Sequence, residues 1–319
     1  MNPADQPTLF PSPGRPGAKT APVATLSPLS SRSSLASAAS AFHNHMLRQG
    51  FSENTVKAFS GDLRLLMKYI PPNSNISRIS THDLENFLTW MLTERGKPCS
   101  PKTYARRLTT LKVFFKWLYD SNIIANDPAA PIAHQPARTP LPTILYDDEV
   151  ERLLRYTRDL LWDRKPDARP YLLVSLILQT AIKKSECMNI ELEHIDVSNP
   201  RAPVLYIRYA NARMRHKERK LALSPQFPPI MRQYIQQYKP QEHLFECTAR
   251  NLEYVLADAG DVAGIEHKSV SFETLRWTSA VRDYRTGLSP DQLRQKLGLS
   301  KISWRETSQK IRRLSSPAI

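Results

Sequence analysis

The stretch that most constrains this chain runs from Leu176 to Asp196. It begins inside an apolar run, Tyr171–Leu178, breaks at Thr180-Ala181-Ile182 and restarts at Ser185-Glu186. The run is too rich in Leu, Val and Ile to face water. Met188, Ile190, Leu192 and Ile195 then mark a short apolar seam. This spacing predicts a buried helix, a tight turn and a short helix capped by Ser185. Lys183 and Lys184 sit on the polar knuckle between the two packed elements. Taken alone, the stretch also suits an ordinary core helix ending in two solvated lysines, because charged helix ends are common.

The rest of the chain reads as mostly helical. Residues 1–38 are rich in Pro, Ser and Ala and poor in aromatics, so they are expected to be a disordered tail. Ala39–Arg48 is a short helix stopped by Gly50. Ser52 caps a second, with Thr55, Phe59, Leu63, Leu66 and Tyr69 at helical spacing, ended by Pro71-Pro72. Ser80 or Thr81 caps a third, with Leu84, Phe87, Leu88, Met91 and Leu92 on one face. Ser100-Pro101 opens a fourth, to about Tyr119. Its polar face carries Lys102, Thr103, Arg106, Arg107 and Thr110, which suits either a solvated surface or a nucleic-acid contact. These helices bound a first domain, 39–133. A proline-bearing linker, 134–145, follows. A second domain, 146–314, opens on a helix capped by Asp147, and 315–319 form a tail. Residues 203–209 and 217–223 read as two strands joined by a basic turn. Further helices are expected over Pro228–Tyr238, from Thr248 to Gly260, and over Phe272–Tyr284, Pro290–Lys296 and Ser303–Leu314.

The chain's 319 residues suit two domains. The formal net charge of +15 favours a polyanionic partner, nucleic acid before an anionic membrane surface. No apolar run approaches the ~20 residues of a membrane helix, and there is no signal-peptide pattern, so a cytoplasmic protein is expected. Cys99, Cys187 and Cys247 are widely spaced, which suits a reducing compartment and gives no metal spacing. No cofactor or metal motif is present, and none is expected to be bound.

Several of these stretches together resemble the tyrosine recombinase (phage integrase) family. Thr180-Ala181-Ile182-Lys183-Lys184-Ser185-Glu186, with Leu192 and Ile195-Asp196, follows the family's first signature box. Ser52-x-x-Thr55-x-x-x-Phe59-x-x-Asp62-Leu63 and Ser100-x-x-Thr103-x-x-Arg106 resemble its core-binding domain. The resemblance implies a two-domain clamp: an N-terminal four-helix core-binding (SAM-like) domain, and a mainly helical catalytic-type domain with a small antiparallel β-sheet. It implies double-stranded DNA as partner. It also implies strand cleavage by a tyrosine hydroxyl, with arginines clamping the phosphorane oxygens because a guanidinium fork donates aligned bonds.

Carried over position by position, most of that chemistry is missing. The first arginine position holds Lys183. The lysine position, in the turn Arg213–Arg219, falls on Met214 when anchored on Lys217-x-Arg219; a one-residue slip offers Arg213 or Arg215, and another register His216 or Lys217. In the second box, Glu273-Thr274-Leu275-Arg276-Trp277, Arg276 matches, while Glu273 replaces a histidine and is spaced to form an (i, i+3) ion pair with Arg276. In the third, Leu297-Gly298-Leu299, Leu299 replaces a histidine. The nucleophile position falls on Ser308, or on Thr307 with a slip, and no tyrosine follows Tyr284.

The expectation is therefore a DNA-binding, recombinase-like protein linked to recombination or integration but inactive in cleavage. Lys102, Thr103, Arg106, Arg107, Thr110, Arg213, Arg215, Lys217 and Arg219 are its expected DNA contacts. One alternative is an active recombinase using Ser308, although Glu306 and Lys310 nearby are not obvious bases for it. Another is a homo-oligomer, or an inert partner of an active recombinase, docking through Ser303–Leu314 with Trp304, Ile311 and Leu314.

Overall fold

A computed structural model describes residues 29–97, 99–134, 140–265 and 267–316. The expected tail over 1–28, the linker residues 135–139 and the end 317–319 lie outside the described residues. The chain divides into two compact units, which part between Thr139 and Pro140.

The first unit contains α1 (Leu35–Arg48), α2 (Glu53–Tyr69), α3 (Thr81–Thr93) and α4 (Pro101–Asp120). Each starts on a serine. The Oγ atoms of Ser34, Ser52, Ser80 and Ser100 accept the N–H groups of Ser37, Thr55, Asp83 and Thr103, satisfying donors that a helix start leaves open. The core is aromatic, with Phe42 edge-on to Phe114 at 5.3 Å and Phe114 edge-on to Phe115 at 5.0 Å. Helix α1 begins at Leu35, earlier than its sequence suggests, and Leu35 and Ala38 are fully buried. Two backbone bonds hold this start, from Leu35 N to Ser74 O at 2.8 Å and from Ile76 N to Ser33 O at 3.1 Å. Residues 29–38 therefore belong to the folded unit, because Leu35, Ala38, Phe42 and Met46 continue one apolar stripe.

The second unit is helical around a small sheet. It contains α5 (Asp147–Asp159), α6 (Arg169–Thr180), α7 (Lys184–Met188), β1 (Ile195–Asp196), β2 (Val204–Ile207), β3 (Arg219–Ala222), α8 (Phe227–Tyr238), α9 (Ala249–Val262), α10 (Phe272–Arg285), α11 (Pro290–Lys296) and α12 (Lys301–Ser315). The strands are antiparallel in the order β1-β2-β3, with Leu205 opposite Leu221. Helix α6 is buried from Pro170 to Ile177 and packs on α5, α8, α9 and α10. This is the mostly helical architecture with a small antiparallel sheet that the sequence predicts. Two caps differ. Helix α5 is capped at Tyr146, whose N–H donates to Glu149 Oε2 at 2.6 Å, and Asp147 is its first residue. Helix α7 starts two residues earlier than expected: Ser185 lies inside it, Lys183 is the cap residue, and the Glu186 carboxylate takes the Lys183 N–H at 2.9 Å.

Candidate functional site

The sequence ends α6 abruptly. Ala181 turns into the left-handed region at φ +50°, so the chain doubles back into α7 and drops Glu186 into the interior. The Glu186 side chain is 1% exposed and meets the Arg219 guanidinium twice, at 3.0 and 2.8 Å. It also accepts the Tyr209 hydroxyl. Burial alone would raise this carboxyl, but Arg219, the Lys183 N–H and Tyr209 overcome it and hold the group at about 2. Burial and the same carboxylate push the Tyr209 phenol up to about 12. Arg219 is itself covered, 8% exposed, and its Nε donates to Lys296 O at 2.8 Å. Its expected role as a DNA contact is corrected by this geometry: the guanidinium neutralises a buried carboxylate and faces the interior.

Lys183 keeps one third of its side chain exposed, with Nζ 3.7 Å from Glu186 Oε1. Burial lowers its amine from the usual lysine range. Arg276, Lys217 and Arg219 push it the same way, and Glu186 opposes them. The Arg276 guanidinium donates to Ala181 O, and through Nη2 to Leu297 O at 2.7 Å. Burial brings it down to about 10. The expected Glu273–Arg276 pair is not formed: Glu273 is exposed, and the guanidinium instead satisfies carbonyls at the ends of α6 and α11. The structure thus gathers Glu186, Lys217, Arg219 and Arg276 within electrostatic reach of Lys183. Tyr209 is a member that sequence reading missed; its one signal is a tyrosine at the strand end leading into the basic turn.

The remaining carried-over positions lie apart from this cluster or face it without polar chemistry. Met214 is partly buried, with the Lys217 ammonium 3.6 Å from its sulfur. Leu299 packs against the apolar cluster of α10, α11 and α12. Ser308 donates its hydroxyl to Arg305 O at 3.0 Å, and Thr307 donates to Ser303 O at 2.9 Å. Lys310 pairs with Glu306 at 2.5 Å. Among the described residues, no carboxylate, imidazole or amine bonds to Ser308.

Part of the polar face of α4 is turned inward. Asp62 on α2 is 5% exposed, and a buried carboxylate must be answered. Thr110, fully buried, donates to it at 2.9 Å; Arg106 forms an ion pair with it; and Arg107, 12% exposed, lies 3.5 Å from its second oxygen. Thr110 is therefore a core residue and Arg107 a covered one. Lys102, Arg106 and Arg215 are exposed, Thr103 partly so, and Thr103 is tied to the Ser100 cap at 2.9 Å. The Arg213 side chain lies outside the described residues.

Two acid–imidazole groups share one carboxylate, Glu191 with Glu193 and His194, and Glu191 with Glu242 and His243. His194 Nδ1 accepts the Glu191 N–H at 3.1 Å, which leaves the ring proton on Nε2 and no free lone pair on the neutral ring. No helix among the described residues is long and apolar enough to cross a membrane.

Residues 31–122 match the family model described as phage integrase, N-terminal SAM-like domain, and residues 143–307 match that described as phage integrase family. A tyrosine recombinase of Thermosipho africanus is 26% identical over 258 residues, 79% of this chain and 87% of that protein. Tyrosine recombinase XerC of Mycobacterium leprae is 30% identical over 166 residues, 51% of this chain and 55% of that protein. Among solved structures, a lambda integrase dimer bound to a COC′ core site is similar with a TM-score of 0.67 and 14% identity, over 90% of this chain and 80% of that one. This last likeness is one of fold.

Proposed function

The chain belongs to the phage integrase family, and we propose that it takes part in DNA recombination or integration by binding duplex DNA without itself cleaving a strand. The observation that carries this reading is the nucleophile position. Ser308 stands there, its hydroxyl bonds back to its own helix at Arg305 O, and among the described residues no base bonds to it. A serine needs such a base to attack a phosphodiester. The other positions agree in direction. An ammonium replaces a guanidinium at Lys183, an apolar side chain stands at Leu299, a thioether at Met214 and an exposed carboxylate at Glu273. Arg276 retains its charge, and its fork is engaged by two carbonyls.

DNA as partner is supported by the net charge of +15 and by what the relatives are named for. Phosphate contacts would come from exposed cations such as Lys102 and Arg215. Arg106, 41% exposed while paired with Asp62, can join them, whereas Arg107 and Arg219 are largely covered. Assembly of more than one copy on DNA belongs to the same reading, by analogy with the DNA-bound lambda integrase dimer.

The experiment is retention of sheared source genomic DNA by the purified chain at near-physiological salt, with sequencing of what is held. Fragments sharing an inverted repeat are the expected result. Retention without sequence preference, or none, would overturn site-specific binding.

A further inference from the structure

The segment that follows α7 pairs with the segment that precedes α9 in a short antiparallel bridge, Glu191 opposite His243. Leu192 N donates to Glu242 O at 2.9 Å, and Leu244 N donates to Ile190 O at 2.7 Å. These two bonds flank the pair. Glu191 and His243 are therefore the non-hydrogen-bonded kind of opposite pair, in which side chains stand closest. The turn before His243 is fixed separately, by the Glu246 carboxylate, which accepts the N–H groups of Gln241 and Glu242 at 2.7 and 2.8 Å. The fold, not spacing in the sequence, brings Glu191 to His243, so no motif announces the pair.

Donor atoms of Glu191, Glu242 and His243 all lie within 4.8 Å of one another. Ligands about 2.1 Å from a tetrahedral zinc ion stand about 3.4 Å apart, so small side-chain rotations close the set. His243 has a nitrogen to offer. Its Nδ1 lies 3.9 Å from Glu242 Oε2, outside hydrogen-bond distance, and among the described residues its ring makes no hydrogen bond. A neutral imidazole in that state keeps a lone pair for a metal. The second acid–imidazole group, with Glu193 and His194, lacks such a donor, because His194 Nδ1 already accepts the Glu191 N–H. His194 Nε2 instead lies 3.6 Å from Glu191 Oε2, where its N–H orients that carboxylate, as outer partners of metal ligands do. Glu191, His194 and His243 line a cleft of 810 Å³, which leaves room for water to complete the coordination. Arg208 and Arg215 line it too; the carboxylates of Glu191, Glu193, Glu218 and Glu242 outweigh them.

We propose that Glu191, Glu242 and His243 bind one divalent transition-metal cation of the zinc class, with His194 positioning Glu191. Imidazole selects such ions over magnesium and calcium, which take oxygen ligands. The ion would cross-link the segment after α7 to the segment before α9, and so brace the knuckle that carries Lys183. It requires no DNA, so its test stands or falls apart from the function proposed above.

The test is calorimetric titration of Zn²⁺ into the full chain, free of any affinity tag and stripped of metal, with Mg²⁺ as control. One equivalent bound at micromolar Zn²⁺, and none of Mg²⁺, is the expected result. His243→Ala and Glu191→Gln should each weaken binding by about a hundredfold or more, His194→Ala by about tenfold or more, and Glu193→Gln not at all. No binding at micromolar Zn²⁺ overturns the site. So does binding that survives His243→Ala, or that is lost in Glu193→Gln. Should His243→Ala fail to fold, Mn²⁺ added to the parent chain decides by paramagnetic broadening of its amide resonances. Broadening centred on residues 190–194 and 241–244 supports the site, and broadening centred elsewhere, or none, overturns it.

Discussion

Replacing Glu186 by Gln would leave the Arg219 guanidinium, 8% exposed, without its charge partner, and would remove an acceptor from Tyr209. Breaking a buried pair from one side costs about 3–5 kcal/mol, so Glu186→Gln should lower the unfolding free energy of the second unit, measured in urea, by that much. The same carboxyl makes stability depend on acid. Its folded value near 2 lies below the ordinary 4.5. Its contribution is therefore complete above about pH 4.5 and is lost as pH falls towards 2. Glu186→Gln should flatten that part of the stability–pH curve, and an unchanged curve would remove Glu186 from this role. Sequence spacing was enough to place Lys183 and Lys184 on the knuckle that leads into Glu186, since Thr180–Glu186 are neighbours in the chain. It was not enough for Arg276. Its partners, Ala181 O and Leu297 O, come from other elements, and they displace the local pairing with Glu273 that spacing favours. Arg219 was misassigned for a similar reason, because a basic turn shows its charges and hides which of them face a buried carboxylate.

Helices were legible at Ser52, Ser80 and Ser100, where a capping serine precedes an apolar stripe. The start of α1 was hidden because a Ser/Ala-rich run reads as tail composition, although Leu35 and Ala38 extend the stripe of Phe42 and Met46. Leu35→Ala should destabilise the first unit by about 2–5 kcal/mol in chemical denaturation, as truncation of a fully buried leucine does; a loss within 0.5 kcal/mol, the range of surface changes, would return these residues to the tail. The face of α4 was misread because helical periodicity shows which residues share a side and not what lies opposite. Here the opposite residue is Asp62 on α2, which pairs with the exposed Arg106 and draws Arg107 and Thr110 inward. Asp62→Ala should accordingly cost on the order of 1–3 kcal/mol of stability, measured by thermal or urea unfolding, whether or not DNA is present.

With a net charge of +15, the chain is expected to bind duplex DNA with an affinity that falls steeply as salt rises. Lys102→Glu and Arg215→Glu, at exposed positions, should each weaken retention at all sequences and shallow the salt slope by about 1, with the unfolding midpoint unchanged. Retention unaffected by both would move the binding surface elsewhere. Fold and family were readable from spacing, because helix caps, core stripes and the buried Glu186 serve the fold whether or not a strand is cut. The absence of cleavage is the claim with most at stake. It is tested by incubating the purified chain with a nicked duplex built on the site it retains, which traps any covalent intermediate, and then denaturing the mixture. A duplex bound before denaturation and fully released after it is the predicted result; a protein–DNA adduct that survives, in the parent but not in Ser308→Ala or Thr307→Ala, would show a working nucleophile and contradict the proposal.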